Sequence, residues 1–141
     1  MTGTDLTAVI DTMDAERVEL LLQLFADVEL TISTPPRTGL MMLAVHDSFA
    51  TAFYPGEILV TEARVLYSGC EGFGMVLGEA PRRALARAAA DAVFQFSETT
   101  EIQKNVRAYL LEEADMQKAK LLENSALVAA TKVNFDLMPG A

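Results

Sequence analysis

The sequence predicts an α+β domain in which an antiparallel four-stranded meander carries helices on one of its faces. Three observations predict it. Glu57 to Tyr67 and Phe73 to Gly78 alternate in side-chain character at period two across a glycine-rich turn. Segments 14–26, 81–96 and 102–128 repeat apolar residues at helical spacing. The length of 141 residues is enough for one hydrophobic core and too short for two, so residues 1–141 read as a single domain.

The elements follow in chain order. Asp14 is placed to cap a helix that carries Val18, Leu21, Leu22 and Phe25 on one face and runs to about Ala26. Alternation from Val28 to Ile32 predicts a first strand, Pro35 to Arg37 a turn, and the Met- and Leu-rich run Leu40 to Val45 a second strand. A connection ending in Pro55 and Gly56 leads to the third and longest strand, Glu57 to Tyr67. Ser68 to Gly72 is turn material, and Phe73 to Gly78 the antiparallel partner. Pro81 suits the first turn of a helix that runs through an alanine-rich stretch to Phe96. Ser97 to Glu101 supplies a new N-cap with acidic residues in the first turn. Beyond it Ile102, Val106, Tyr109, Leu110 and Ala114, then Leu121, Ser125 and Val128, form a helical stripe. Whether that helix bends near Asp115 is left open by the pattern. After Thr131 an apolar tail with Val133, Phe135, Leu137 and Met138 reads as a docking segment for a partner.

Composition narrows the function. Twenty acidic residues face eleven basic ones for a net charge of −9, which disfavours nucleic acid and anionic membrane surfaces as partners. One cysteine, Cys70, excludes an internal disulfide and a multi-cysteine metal cluster. No apolar run approaches the roughly 20 residues of a membrane helix, and the N-terminus has no basic n-region, so a cytoplasmic protein is expected. Hydrophobic residues make up 51% of the chain, a surplus that suits surface covered by partner chains.

Few residues are candidates for chemistry. Gly72 and Gly74 form a Gly-x-Gly inside a strand, where they admit close packing or a bulge; a dinucleotide loop needs them between strand and helix. His46, the only histidine, ends its strand on the face of Leu40 and Met42 and reads as a surface or capping residue. Cys70 has no cationic neighbour to make it a thiolate. Glu62 and Arg64 share a strand face, either as an exposed ion pair or as a recognition face for a subunit or an anion. Arg82 and Arg83 stand at a helix N-terminus, where their charge is unfavourable, so something acidic should compensate. Arg83 and Arg87 lie on one face at i,i+4. A phosphate could be the counter-charge, and so could Glu79 or a partner's carboxylate.

Taken in order, the stretches from Arg37 to Ser48, from Tyr54 to Phe94 and from Val128 to Phe135 resemble the PhnG family, the G subunits of the carbon-phosphorus lyase core complex of bacterial phosphonate use. The most specific parts are Gly56-Glu57 with Leu59 to Val65, Gly72 to Gly78, Asp91-Ala92, and Thr131 to Asn134. The resemblance implies work alongside H, I and L subunits that displace adenine from ATP with methylphosphonate, giving α-D-ribose 1-methylphosphonate 5-triphosphate. It implies a symmetric core with two copies each of G, H, I and J, the nucleosidase-like catalysis resting on I and the radical-SAM iron-sulfur chemistry on J. It carries no catalytic residue over to a position here, and it implies no cofactor on this chain and ATP as a substrate of the complex. The reading outside this family is a self-contained, small-molecule-binding α+β domain.

Overall fold

The computed structural model describes residues 3–46, 49 and 52–136. A short helix α1 (Gly3–Ala8) leads through a 3-10 turn (Val9–Thr12) into α2 (Ala15–Leu24). Three strands follow, β1 (Thr31–His46), β2 (Ala52–Tyr67) and β3 (Cys70–Leu77), then α3 (Pro81–Gln95) and α4 (Glu101–Asp136). The sheet is antiparallel in the order β1-β2-β3.

The class is α+β as the sequence predicts, but the sheet has three strands and not four. The turn expected at Pro35 to Arg37 is absorbed into β1, which runs past both prolines with shifts in register between Ile32 and Thr34 and between Thr34 and Arg37. β1 lies at the sheet edge, where a residue without an N–H costs no ladder bond on the open side, and irregular register accommodates the rings. The expected connection before Glu57 is likewise strand, since β2 begins at Ala52. The hairpin between β2 and β3 turns on Ser68 and Gly69 alone, with φ of 46° and 82°, the pair of left-handed residues that a tight two-residue hairpin requires.

β3 and α3 set the depth of the core. Gly72, Gly74 and Val76 point at α3, whose facing residues are Ala84, Ala88 and Ala92, all fully buried. A methyl group built on Gly72 would stand 2.7 Å from the Ala92 Cα, and one on Gly74 would stand 2.6 Å from the Ala88 nitrogen. Backbone meets backbone, and no side chain can give way. Thr61 then fixes the link between the two elements: its buried hydroxyl donates to the Gly78 carbonyl at 2.6 Å and accepts from the Ala80 N–H at 3.1 Å. That contact ties the left-handed Gly78 (φ 80°) to the start of α3, whose first residue is Pro81 as predicted.

The far side of α3 is covered by the N-terminal segment and α4. Leu6, Ile10 and Met13 join Val18, Leu21, Val106 and Leu110 in one cluster with Ala89 and Val93. Helix α1 and the 3-10 turn had no counterpart in the sequence reading. Asp14 does occupy the N-cap position of α2, although its side chain makes no capping bond, and α2 ends at Leu24, two residues early. Thr100 caps α4, its hydroxyl accepting from the Gln103 N–H at 3.3 Å. Helix α4 is continuous through Asp115, and it takes in Thr131 to Asp136, so most of the expected tail is helix. Leu137 and Met138 lie outside the described residues.

Gly72→Ala should therefore destabilise the domain by about 3 kcal/mol or more, the upper end for overpacking against a wall that cannot move. Gly39→Ala, where an added methyl meets nothing within 4 Å, should stay within about 0.5 kcal/mol. Chemical denaturation of both variants checks the contrast.

Candidate functional site

The predicted charged residues fall into two groups on opposite sides of β3. Arg82, Arg83 and Arg87 project from the first two turns of α3 toward the N-terminal segment. Arg82 makes a two-pronged pair with Glu19 of α2, with Nε and Nη2 each 2.9 Å from a carboxylate oxygen. Arg83 donates to the Ile10 carbonyl at 2.5 Å, meeting a backbone group within the 3-10 turn. Arg87 holds both oxygens of Asp11, at 2.9 and 3.0 Å, and the Met75 carbonyl at 3.1 Å. The compensating acids are thus Glu19 and Asp11, and each guanidinium is engaged within the chain. The Arg82 hydrogen bonds pull the Glu19 carboxyl below its ordinary value, and the same bonds raise Arg82.

Arg83 and Arg87 nevertheless border a cleft of about 580 Å³, with Asp11 and Thr12 on one wall and Val60, Phe73 and Leu77 on the other.

Glu62 and Arg64 lie on the outer face of the sheet, while Thr61, Ala63 and Val65 are buried beneath α3, as the alternation predicted. They do not pair with each other. Glu62 accepts from Arg37 of β1 at 2.7 Å, directly across the strand pair. Arg64 donates to Glu71 of β3 at 2.9 Å and lies 4.7 Å from the centre of the Phe73 ring. Both pairs are largely exposed, where an ion pair contributes about 0 to 1 kcal/mol.

Sequence reasoning missed two polar features that organise the surface. Asp91 of α3 accepts from the Phe73 N–H at 2.9 Å, and with Arg87 it occupies two of the outward backbone groups of β3. Between α2 and α4, Arg17 meets the buried Glu113 at 2.5 Å and stacks 4.6 Å from the Tyr109 ring, whose hydroxyl donates to the Arg17 carbonyl at 2.8 Å. Burial chiefly pushes the Tyr109 hydroxyl above its ordinary value. Gln117 extends this network to the Val9 carbonyl at 3.1 Å and to Thr12 at 2.8 Å. Sequence separations near 100 residues hide such pairs from any local pattern.

His46 closes β1 opposite Ala52, and its side chain lies outside the described residues. Cys70 opens β3 as a half-buried free thiol. Among the described residues no three His, Cys, Asp or Glu side chains converge as metal donors, and no helix is long and apolar enough to cross a membrane.

These features define a small α+β domain whose sheet, among the described residues, carries helices on one face only, with a charged layer turned inward on itself. Residues 3–140 match the family model of the phosphonate metabolism protein PhnG, and the chain belongs to that family. No individually curated protein matches it.

The Glu19 shift gives a test of the Arg82 clamp. A carboxyl lowered on folding contributes stability above its unfolded pKa and loses it as pH falls through its folded pKa. The thermal-midpoint difference between wild type and Arg82→Gln should accordingly be present at neutral pH and vanish in acid, and carbon-13 titration should show the Glu19 carboxyl of Arg82→Gln back in the ordinary range.

Proposed function

We propose that this chain is an obligate assembly subunit of the transferase that displaces adenine from ATP with methylphosphonate in phosphonate catabolism. It acts with the H, I and L subunits in the cytoplasm, and two copies join H, I and J in the core complex. ATP is a substrate of that complex; this chain holds no cofactor and supplies no catalytic side chain.

The observation that carries the reading is where the large apolar residues stand. The stretch of β1 and β2 beyond β3 exposes Leu40, Met41, Met42 and Leu59, and the distal half of α4 exposes Leu121, Leu122, Leu127 and Val128. Two separate projections of one small domain are apolar, while the arginines that were candidates for a phosphate are bonded to its own N-terminal segment. Surface of this kind is what partner subunits cover.

Adenine release from ATP plus methylphosphonate, by co-expressed H, I and L subunits with and without this chain, tests the role. Release should depend on the chain. Unchanged release, with no co-purification, would return the self-contained binding domain to the lead.

A second reading, direct contact of Arg83 and Arg87 with a phosphate, is favoured only by the cleft they border. Arg83→Ala and Arg87→Ala should lower stability or partner capture and leave the apparent KM for ATP unchanged; a raised KM with assembly intact would establish the contact.

The distal half of α4 gives a further expectation. Deleting residues 122–141 removes exposed apolar side chains and spares Val106, Leu110 and Glu113, which pack on the body. Partner capture should fall by about tenfold or more, the loss of roughly 1.4 kcal/mol or more of binding, while the thermal midpoint barely moves.

A further inference from the structure

The two edges of the sheet are treated differently. On β3 two of the outward groups meet α3: Phe73 donates its N–H to Asp91, and Met75 offers its carbonyl to Arg87. On β1 the stretch Thr31 to Arg37 contains Pro35 and Pro36, and the part of β2 that extends beyond β3 contains Pro55. Prolines and inward-bonded charges are devices that stop a strand edge from pairing with another chain. The stretch Thr38 to Met42 has none of them: Thr-Gly-Leu-Met-Met is uncharged, free of proline and in unbroken register with β2.

The direction of its backbone groups follows from the register. Leu59 of β2 accepts the Gly78 N–H at 2.7 Å, so its polar groups face the β3 side. Leu40 is its partner on β1, and in an antiparallel pair both members then turn their N–H and C=O away from each other. Leu40 therefore presents its backbone groups outward, and by the same alternation so do Thr38, opposite Thr61, and Met42, opposite Glu57. Gly39 and Met41 bond inward to β2. Leu40 and Met42 are 66% and 59% exposed, so the open ladder is bordered by apolar side chains.

We infer that the outer edge of β1 from Thr38 to Met42 accepts an added β-strand from a partner subunit of the phosphonate-metabolism assembly. The row of outward donors and acceptors at two-residue spacing is the chemistry that recognises an extended backbone. The partner carries an open strand of alternating apolar residues without acidic side chains. A second copy of this chain fits less well, because each copy brings a charge of −9 and a contact of so few residues adds little area against that repulsion. A larger partner strand, set in its own sheet, also covers Met41 on one face and Leu59 on the other. The identity of the partner as an assembly subunit rests on the proposed function; the strand-accepting edge rests on the register alone.

Hydrogen exchange at single residues tests this, measured on the full chain alone and within the complex formed with its co-expressed subunits. The amides of Thr38, Leu40 and Met42 should slow by about tenfold or more on assembly, while Gly39 and Met41, already bonded to β2, change less. Leu40→Pro, which removes only an outward N–H, should keep the fold by circular dichroism and lose capture. A complex that forms without slowing at these three amides overturns the inference and leaves the proposed function standing, as does a folded L40P chain that captures partners at the wild-type level. Failure of any complex to form overturns both. Slowing in the chain alone, together with a light-scattering mass of two chains, overturns the choice of partner in favour of a second copy.

Discussion

The contact between the backbones of β3 and α3 is the constraint from which the rest of the architecture follows. With Gly72 and Gly74 on the strand and Ala84, Ala88 and Ala92 on the helix, the two elements approach until main chain touches main chain. Helix–sheet layers with ordinary side chains stand near 10 Å apart, and this one is closer. A thin layer leaves little room for large apolar residues between sheet and helix. The bulk of the core therefore moves to the other side of α3, where Leu6, Ile10, Met13, Leu21 and Leu110 converge.

The inward turn of the arginines has the same origin. Because α3 is sandwiched, its N-terminal turns lie against α2 and the 3-10 turn, and Arg82, Arg83 and Arg87 reach Glu19, Ile10 and Asp11 without extending into solvent. Arg87 also crosses to the Met75 carbonyl, so one guanidinium joins the N-terminal segment, the helix and the sheet edge. The charges give this corner its alignment more than its stability, since exposed pairs are individually weak.

How much was legible in the sequence depended on how local the determining forces were. The β2–β3 hairpin, the proline-opened α3 and the Thr100 cap were readable because turn residues, periodicity and caps act within a few positions. Close packing at Gly72 and Gly74 was readable too, since glycines inside an alternating strand have few other uses. The two prolines misled because a proline pair signals a turn only when both sides of a strand need their N–H groups, and the edge position of β1 is a tertiary fact. The helix α1 was missed because six residues without a cap carry no reliable signal, although Leu6, Ile10 and Met13 fall at helical spacing. Of the five charged candidates the faces were right, but the side chains or carbonyls that engage them lie 25 to 76 residues away for Glu62, Arg82 and Arg83, and for the carboxylate that holds Arg87. Only Arg64, seven residues from Glu71, had a partner within sight of its own hairpin.

The position of the N-terminal segment also sets an order of events during synthesis. Val9 and Thr12 contact Gln117, more than 100 residues downstream, and Leu6 and Ile10 share their buried cluster with residues of α3 and α4. At about 5–20 residues per second the ribosome needs on the order of 5–20 s to make the stretch between them. For that interval this apolar segment lacks the part of its native cover that α4 supplies, while the hairpin and α3 lie closer behind it in the chain. The contacts of this segment with α4 thus wait on the stretch of chain synthesised longest after it.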